Sequence, residues 1–232
     1  MSGRKLKQTI LEILENETLH EGVEKVLFYP YNATVGPLIS FFCNKNSLVK
    51  WKAVSVLGSV TAKIAETQPE YARVVMRRLM WSLNEESGGI GWGVPEAMGE
   101  IMAKCDLLAG EYHKILVSYI SPGPNFIEVP ALQKGVLWGL SRLAAASPHY
   151  LGQSVPLLPK YFSSKEPAIR AFAALAFMTI DPAMRATLPS CLMQDPSSIE
   201  YYQNGVISTC TIQSLLCDSH AIENGTNSEK AV

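Results

Sequence analysis

Several kinds of chemistry are under-supplied in this chain. Histidine is scarce, with four residues in 232, and only His20 is followed directly by a glutamate. The five cysteines, Cys43, Cys105, Cys191, Cys210 and Cys217, are odd in number, widely spaced and without a CxxC pair. That pattern argues against a structural zinc site or a redox dithiol, which bring two ligands close in sequence. The cysteines are expected to be buried, reduced thiols that pack as small hydrophobes. There is no excess of positive charge, 20 basic residues standing against 21 acidic ones. A nucleic-acid binder draws most of its affinity from a concentrated basic face, so nucleic acid is not the expected partner. No run of about 18 apolar residues could span a bilayer, so no membrane insertion is expected. The first residues, MSGRKLKQTILEILENE, turn acidic and amphipathic and lack an apolar signal core. These absences lead to an expectation of a soluble, cytoplasmic protein. Strand-like alternation does not compete with helical spacing anywhere in this reading.

What the chain does have is apolar material, 47% of its residues, arranged with a long period. Gly58, Gly99, Gly139 and Ala176 are separated by 41, 40 and 37 residues. Seven positions earlier stand Trp51, Trp92, Leu132 and Ile169, and one position earlier stand Leu57, Met98, Trp138 and Leu175. Four positions later stand Ala62, Ala103, Leu143 and Ile180. Residues four or seven apart share a helical face, so each segment carries an apolar stripe with a small residue at its middle. Glycine costs a helix about 1 kcal/mol against alanine. Three glycines in one register therefore call for a packing reason, and close approach of a neighbouring helix supplies one. Between these segments, residues Thr34–Cys43, Pro69–Glu85, Ala109–Ile120 and Tyr150–Phe162 read as the first helix of each pair. Pro69 suits a first helical turn, and Pro37 is expected near a helix start. Pro156 and Pro159 predict that the last of these helices is short or kinked.

The period, the paired helices and the small-residue column resemble HEAT-type repeats, including the class found in bilin-lyase and DNA-alkylation-repair relatives. The resemblance covers residues 30–182 and implies an all-α fold, a right-handed α-α superhelix of four to five helical hairpins with the second helices lining its inner face. Residues 1–29 are then expected as N-terminal capping helices, 183–217 as a C-terminal helical cap, and 218–232 as a disordered tail. HEAT-type repeats imply a binding surface and no particular reaction. The leading expectation is a non-catalytic scaffold or adaptor for another protein, without cofactor or metal. The alternatives are a HEAT-fold enzyme, glycosylase-like or bilin-lyase-like, and a nucleic-acid-binding module. The His-Glu pairs of the deoxyhypusine hydroxylases, which this architecture also resembles, are represented only by His20-Glu21, outside the repeats. The alkylation-repair glycosylases use tryptophans with an aspartate in a basic groove. Here Trp51, Trp81, Trp92 and Trp138 supply aromatics, but Asp106 is the lone aspartate before Asp181. A homodimer formed through an exposed end of the stack is a further expectation for the oligomeric state.

The residues singled out for a protein interface are Arg77, Trp81, Glu85, Glu86, Trp92, Glu96 and Glu100. Arg77, Trp81 and Glu85 follow at intervals of four, on one helical face, and tryptophan and arginine dominate interface energetics. Gly88, Gly89, Gly91 and Gly93 flank Trp92 just before a helix start. Such a turn can present backbone N–H groups to an anion, but no phosphate-loop pattern is present, and the surrounding glutamates would repel one. A tight inter-helix turn with Trp92 in the core is the structural expectation. Glu96 and Glu100 lie four apart and could converge, with solvated or ion-paired carboxylates as the default.

Overall fold

The computed structural model describes residues 2–84 and 91–225. Two helices open the chain, α1 (Gly3–Asn16) and α2 (Leu19–Leu27). Thr18 caps α2 through a reciprocal box, its side chain accepting from the Glu21 backbone while Glu21 accepts from the Thr18 N–H. Three helix pairs follow, α3 (Tyr31–Ser40) with α4 (Ser47–Thr67), α5 (Pro69–Asn84) with α6 (Val94–Lys104), and α7 (Asp106–Ser118) with α8 (Pro130–Ala146). The fourth pair is irregular. Its first member is a run of 3₁₀ turns from Pro148 to Tyr161, and its second is α9 (Pro167–Ile180). Pro156 and Pro159 remove the N–H donors that a continuous α-helix needs there. Pro69 opens α5, in keeping with its missing donor, whereas Pro37 sits inside α3 and not at its start.

The second helices pack one against the next, α4 on α6, α6 on α8 and α8 on α9. The glycine register explains how. A Cβ on Gly99 would fall on the Cα of Gly139 and 2.5 Å from its carbonyl oxygen. One on Gly139 would lie 2.7 Å from the Pro95 oxygen, and one on Gly58 would lie 2.7 Å from the Glu100 Cγ. Gly99 and Gly139 therefore admit a neighbouring backbone at a distance that a methyl group would forbid, and Gly58 leaves room for the Glu100 side chain. Leu57, Met98, Trp138 and Leu175, one residue before the small column, are all buried. The repeat period thus corresponds to a repeated helix–helix contact.

The C-terminal region departs from expectation. Residues 183–217, read as a helical cap, contain a short helix α10 (Ser190–Met193) and a two-stranded antiparallel hairpin, β1 (Ser198–Gln203) and β2 (Val206–Thr211). The fold is mostly helical with this one small sheet among the described residues. Asn204 and Gly205 join the strands at φ of 48° and 86°, the left-handed pair required by a type I′ turn, for which Asn-Gly is the preferred sequence. A last helix, α11 (Ile212–Gly225), returns to pack on α9 and α10. The cysteines also differ from expectation: all five are unpaired, but Cys43, Cys191 and Cys217 are exposed and Cys105 and Cys210 half-buried. Among the described residues, no helix is long and apolar enough to cross a membrane.

Candidate functional site

The five singled-out residues that the structure describes do not form one site. Arg77 and Trp81 lie on the exposed side of α5, Trp92 is half-buried in the turn before α6, and Glu96 and Glu100 are buried. Glu85 and Glu86 lie outside the described residues. Two separate places result, one on α5 and one along the row of second helices.

On α5, Val74, Arg77 and Trp81 follow at intervals of three and four, one stripe on a helix surface. Ala72, Val75, Met76 and Leu79 turn into the core, which leaves that stripe to solvent. Trp81 is 78% exposed and Val74 43%. Arg77 donates to Glu70 Oε1 at 2.6 Å. One helical turn away, Arg73 donates to Glu111 of α7 at 2.8 and 2.6 Å. The carboxyl of Glu70 is held below its ordinary value by the hydrogen bond from Arg77. Arg77 and Trp81 thus share an exposed helical face whose guanidinium is paired with a carboxylate of the same helix.

Along the row, Glu96 and Glu100 project from α6 into its contacts with α4 and α8. This corrects the expectation that they belong to an exposed interface. Glu100 Oε2 accepts from Arg142 Nε of α8 at 2.7 Å, and its other oxygen lies 3.4 Å from Lys104 Nζ. Glu96 Oε1 lies 3.7 Å from Lys50 Nζ of α4, while Oε2 has no hydrogen-bond partner among the described residues. Gly135 makes room for that oxygen, since a Cβ there would come within 2.5 Å of it. Burial pushes the Glu96 carboxyl above its ordinary value, against the lowering effect of Lys50.

That shift has a measurable consequence. Because the folded pKa lies above the unfolded one, the folded chain binds more protons between the two values, and stability falls as pH rises through that window. Above the window the wild-type chain bears the full cost of an ionised buried carboxylate, which Glu96→Gln removes. The melting temperature of the variant relative to wild type is expected to rise as pH is raised from about 5, nearer the ordinary carboxylate range, to about 8. Thermal melts at both pH values check this. A relative melting temperature that falls over the same range would mean that the Lys50 pair outweighs burial.

Beside these carboxylates the sequence reading missed a cluster formed with the hairpin. Tyr202 of β1 stacks on Trp51 of α4, with centroids 4.9 Å apart and planes 9° from parallel, and lies 6.4 Å from Trp138 of α8. Its hydroxyl shares a 2.9 Å hydrogen bond with Ser55 Oγ. Burial pushes the phenol up to about 12. Trp51 and Trp138 are themselves 4.7 Å apart. The neighbouring Tyr201 lies 6.2 Å from Phe172 of α9, and the hairpin tip reaches the start of α2, where a Cβ on Gly205 would be 2.7 Å from Leu19 Cβ. Two signals could have revealed the hairpin: Asn204-Gly205 between apolar runs, and the paired tyrosines.

His113 and His149, read as isolated, both approach Tyr150, at 5.0 and 4.2 Å between centroids. The Tyr150 hydroxyl donates to Asp106 Oδ1 at 3.1 Å, and His113 Nδ1 is 2.8 Å from the Ala109 carbonyl oxygen. Among the described residues no group of three or more His, Cys, Asp or Glu side chains is placed to hold a metal ion. No protein-family model matches the chain, and no curated protein matches it in sequence.

Proposed function

We propose that this chain is a non-catalytic scaffold or adaptor of the HEAT type, and that it docks a partner protein on the outer stripe of α5. The observation that carries the reading is Trp81, 78% exposed beside Arg77 on a helix whose other side is fully committed to the core. An exposed tryptophan one helical turn from an arginine has the composition of an interface anchor, because tryptophan and arginine are among the residues most enriched at interface hot spots. Val74 extends the apolar part of the stripe. The matching partner surface is an apolar pocket rimmed by carboxylates. The repeated α4–α6–α8–α9 contacts favour the same reading, since α5 packs on α4 and α6 of that row and presents its stripe from it.

The test is affinity purification of the tagged full chain with quantitative mass spectrometry, comparing wild type with Trp81→Ala and Phe28→Ala. Phe28 is also strongly exposed, at 89%, but lies at the end of α2 and serves as the control. The Trp81 variant is expected to lose at least about tenfold of one partner that wild type and the Phe28 variant both retain. Its melting temperature should stay near that of wild type, because exposed substitutions shift stability by no more than about 0.5 kcal/mol. Equal recovery of every partner by the Trp81 variant would remove the stripe as the docking site.

A further inference from the structure

We infer that the β1–β2 hairpin is a detachable strap, and that the inner slot it fills, formed by Trp51, Ser55 and Trp138, is a binding site for a tyrosine carried on an extended segment, supplied in cis by this hairpin and in trans by that of a second copy. The inference is independent of the α5 stripe.

The slot has the features of a recognition site. It offers a flat indole face at stacking distance, a second indole beside it, and a hydroxyl positioned for the phenol. The aromatic pairing supplies affinity, and the Ser55 hydroxyl distinguishes tyrosine from phenylalanine. The segment that fills it is attached in a way that permits release. Among the described residues, the backbone–backbone hydrogen bonds of residues 198–211 run between the two strands or to the hairpin's own base, where Ile212 N–H donates to the Ser197 oxygen at 3.1 Å. The helices are met by side chains, Tyr202 on Trp51 and Ser55, Tyr201 near Phe172 and the buried Ile199, and at the tip by Gly205 against Leu19 of α2. β2 is turned largely outward, with Val206 64% exposed. A two-stranded hairpin is marginal alone in water, so its order rests on this docking.

The base is held separately. Arg170 of α9 donates to Asp195 Oδ2 at 2.9 Å, to Ser197 Oγ at 3.0 Å and to the Ser164 carbonyl at 2.7 Å. This clamp does not involve Tyr202, so release of the slot leaves it in place, and the hairpin swings about its two junctions, Ser197–Ser198 and Thr211–Ile212, while α11 keeps its place on α9. What opening uncovers is an aromatic site on a helix row that remains folded.

Hydrogen exchange on the unmodified full chain gives the first test. The amides of residues 198–211 are expected to exchange at least about 100-fold faster than those of α4 and α8, as a unit that opens without the rest. Exchange at the same rate as the helix row would make the hairpin an integral part of the core and overturn the inference. The second test adds a labelled, cyclised peptide of residues 197–212 to full-length wild type, Tyr202→Ala and the double variant Tyr202→Ala/Ser55→Ala. The expected result is binding to Tyr202→Ala at least about tenfold tighter than to wild type, weakened in the double variant by about threefold or more. No binding to a folded Tyr202→Ala chain, or equal binding to it and to wild type, would overturn the trans site. Should Tyr202→Ala fail to fold, the exchange experiment on wild type decides alone.

Discussion

Gly99→Ala is expected to destabilise the chain by about 3 kcal/mol or more, a fall in melting temperature of roughly 10 °C. On an exposed helix the same change would stabilise by up to about 1 kcal/mol, because alanine is the better helix former. The sign is reversed here by what the new methyl group meets. It falls on the backbone of Gly139, which no rotamer change can move, so α6 and α8 have to separate. The layers on either side, α4 and α9, pack on these same two helices and must shift with them. Gly36 in α3 is the internal control. Its nearest neighbour to an added Cβ is the end of the Arg78 side chain at 3.8 Å, and Gly36→Ala should leave stability unchanged or slightly raised. Paired thermal or denaturant unfolding curves make the comparison. Equal effects of the two substitutions would mean that the glycine register is not a packing device.

Trp138→Ala has the other large expected effect. Trp138 is nearly fully buried on α8 and touches both Trp51 and Tyr202. Removal of a large buried aromatic costs about 3–5 kcal/mol, through lost transfer energy and the cavity left behind. The vacancy would open beneath Tyr202, so the loss should fall first on the hairpin. Circular dichroism should retain most of the helical signal while the fluorescence of Trp51 moves toward that of a solvated indole. A loss below about 1 kcal/mol would show that the site collapses and that Trp138 does not support Tyr202.

Much of the architecture was legible in the sequence because packing leaves periodic marks. A glycine at Gly58, Gly99 and Gly139 has no local use inside a helix, so its recurrence points to neighbouring helices. The buried position of Leu57, Met98, Trp138 and Leu175 follows from the same register. The burial of Glu96 and Glu100 was not legible, because periodicity gives the face on which a residue lies but not what covers that face. They stand three before and one after Gly99, on the side that the glycine marks as a contact, and Gly58 and Gly135 provide the space they occupy. Of the two default states expected for these carboxylates, solvated or ion-paired, the second is found, with Glu96 near Lys50 and Glu100 paired with Arg142 and Lys104. The hairpin escaped notice for a different reason. The expectation of a helical cap over 183–217 rests on apolar content alone, whereas the Asn204-Gly205 pair fixes the turn locally. Trp81 stood out by composition alone. Its exposure depends on which side of α5 the core lies, and that is set by tertiary packing.

The α5 stripe is the part of this account that bears most directly on function, and Trp81 can be probed without any substitution. Hydroxyl-radical footprinting of the purified complex compares Trp81 with Trp138, one tryptophan exposed and the other nearly fully buried in the same chain. Oxidation of Trp81 should fall several-fold when the partner is bound, while that of Trp138 stays low in both states. Equal oxidation of Trp81 in the free and bound chain would contradict docking at this stripe.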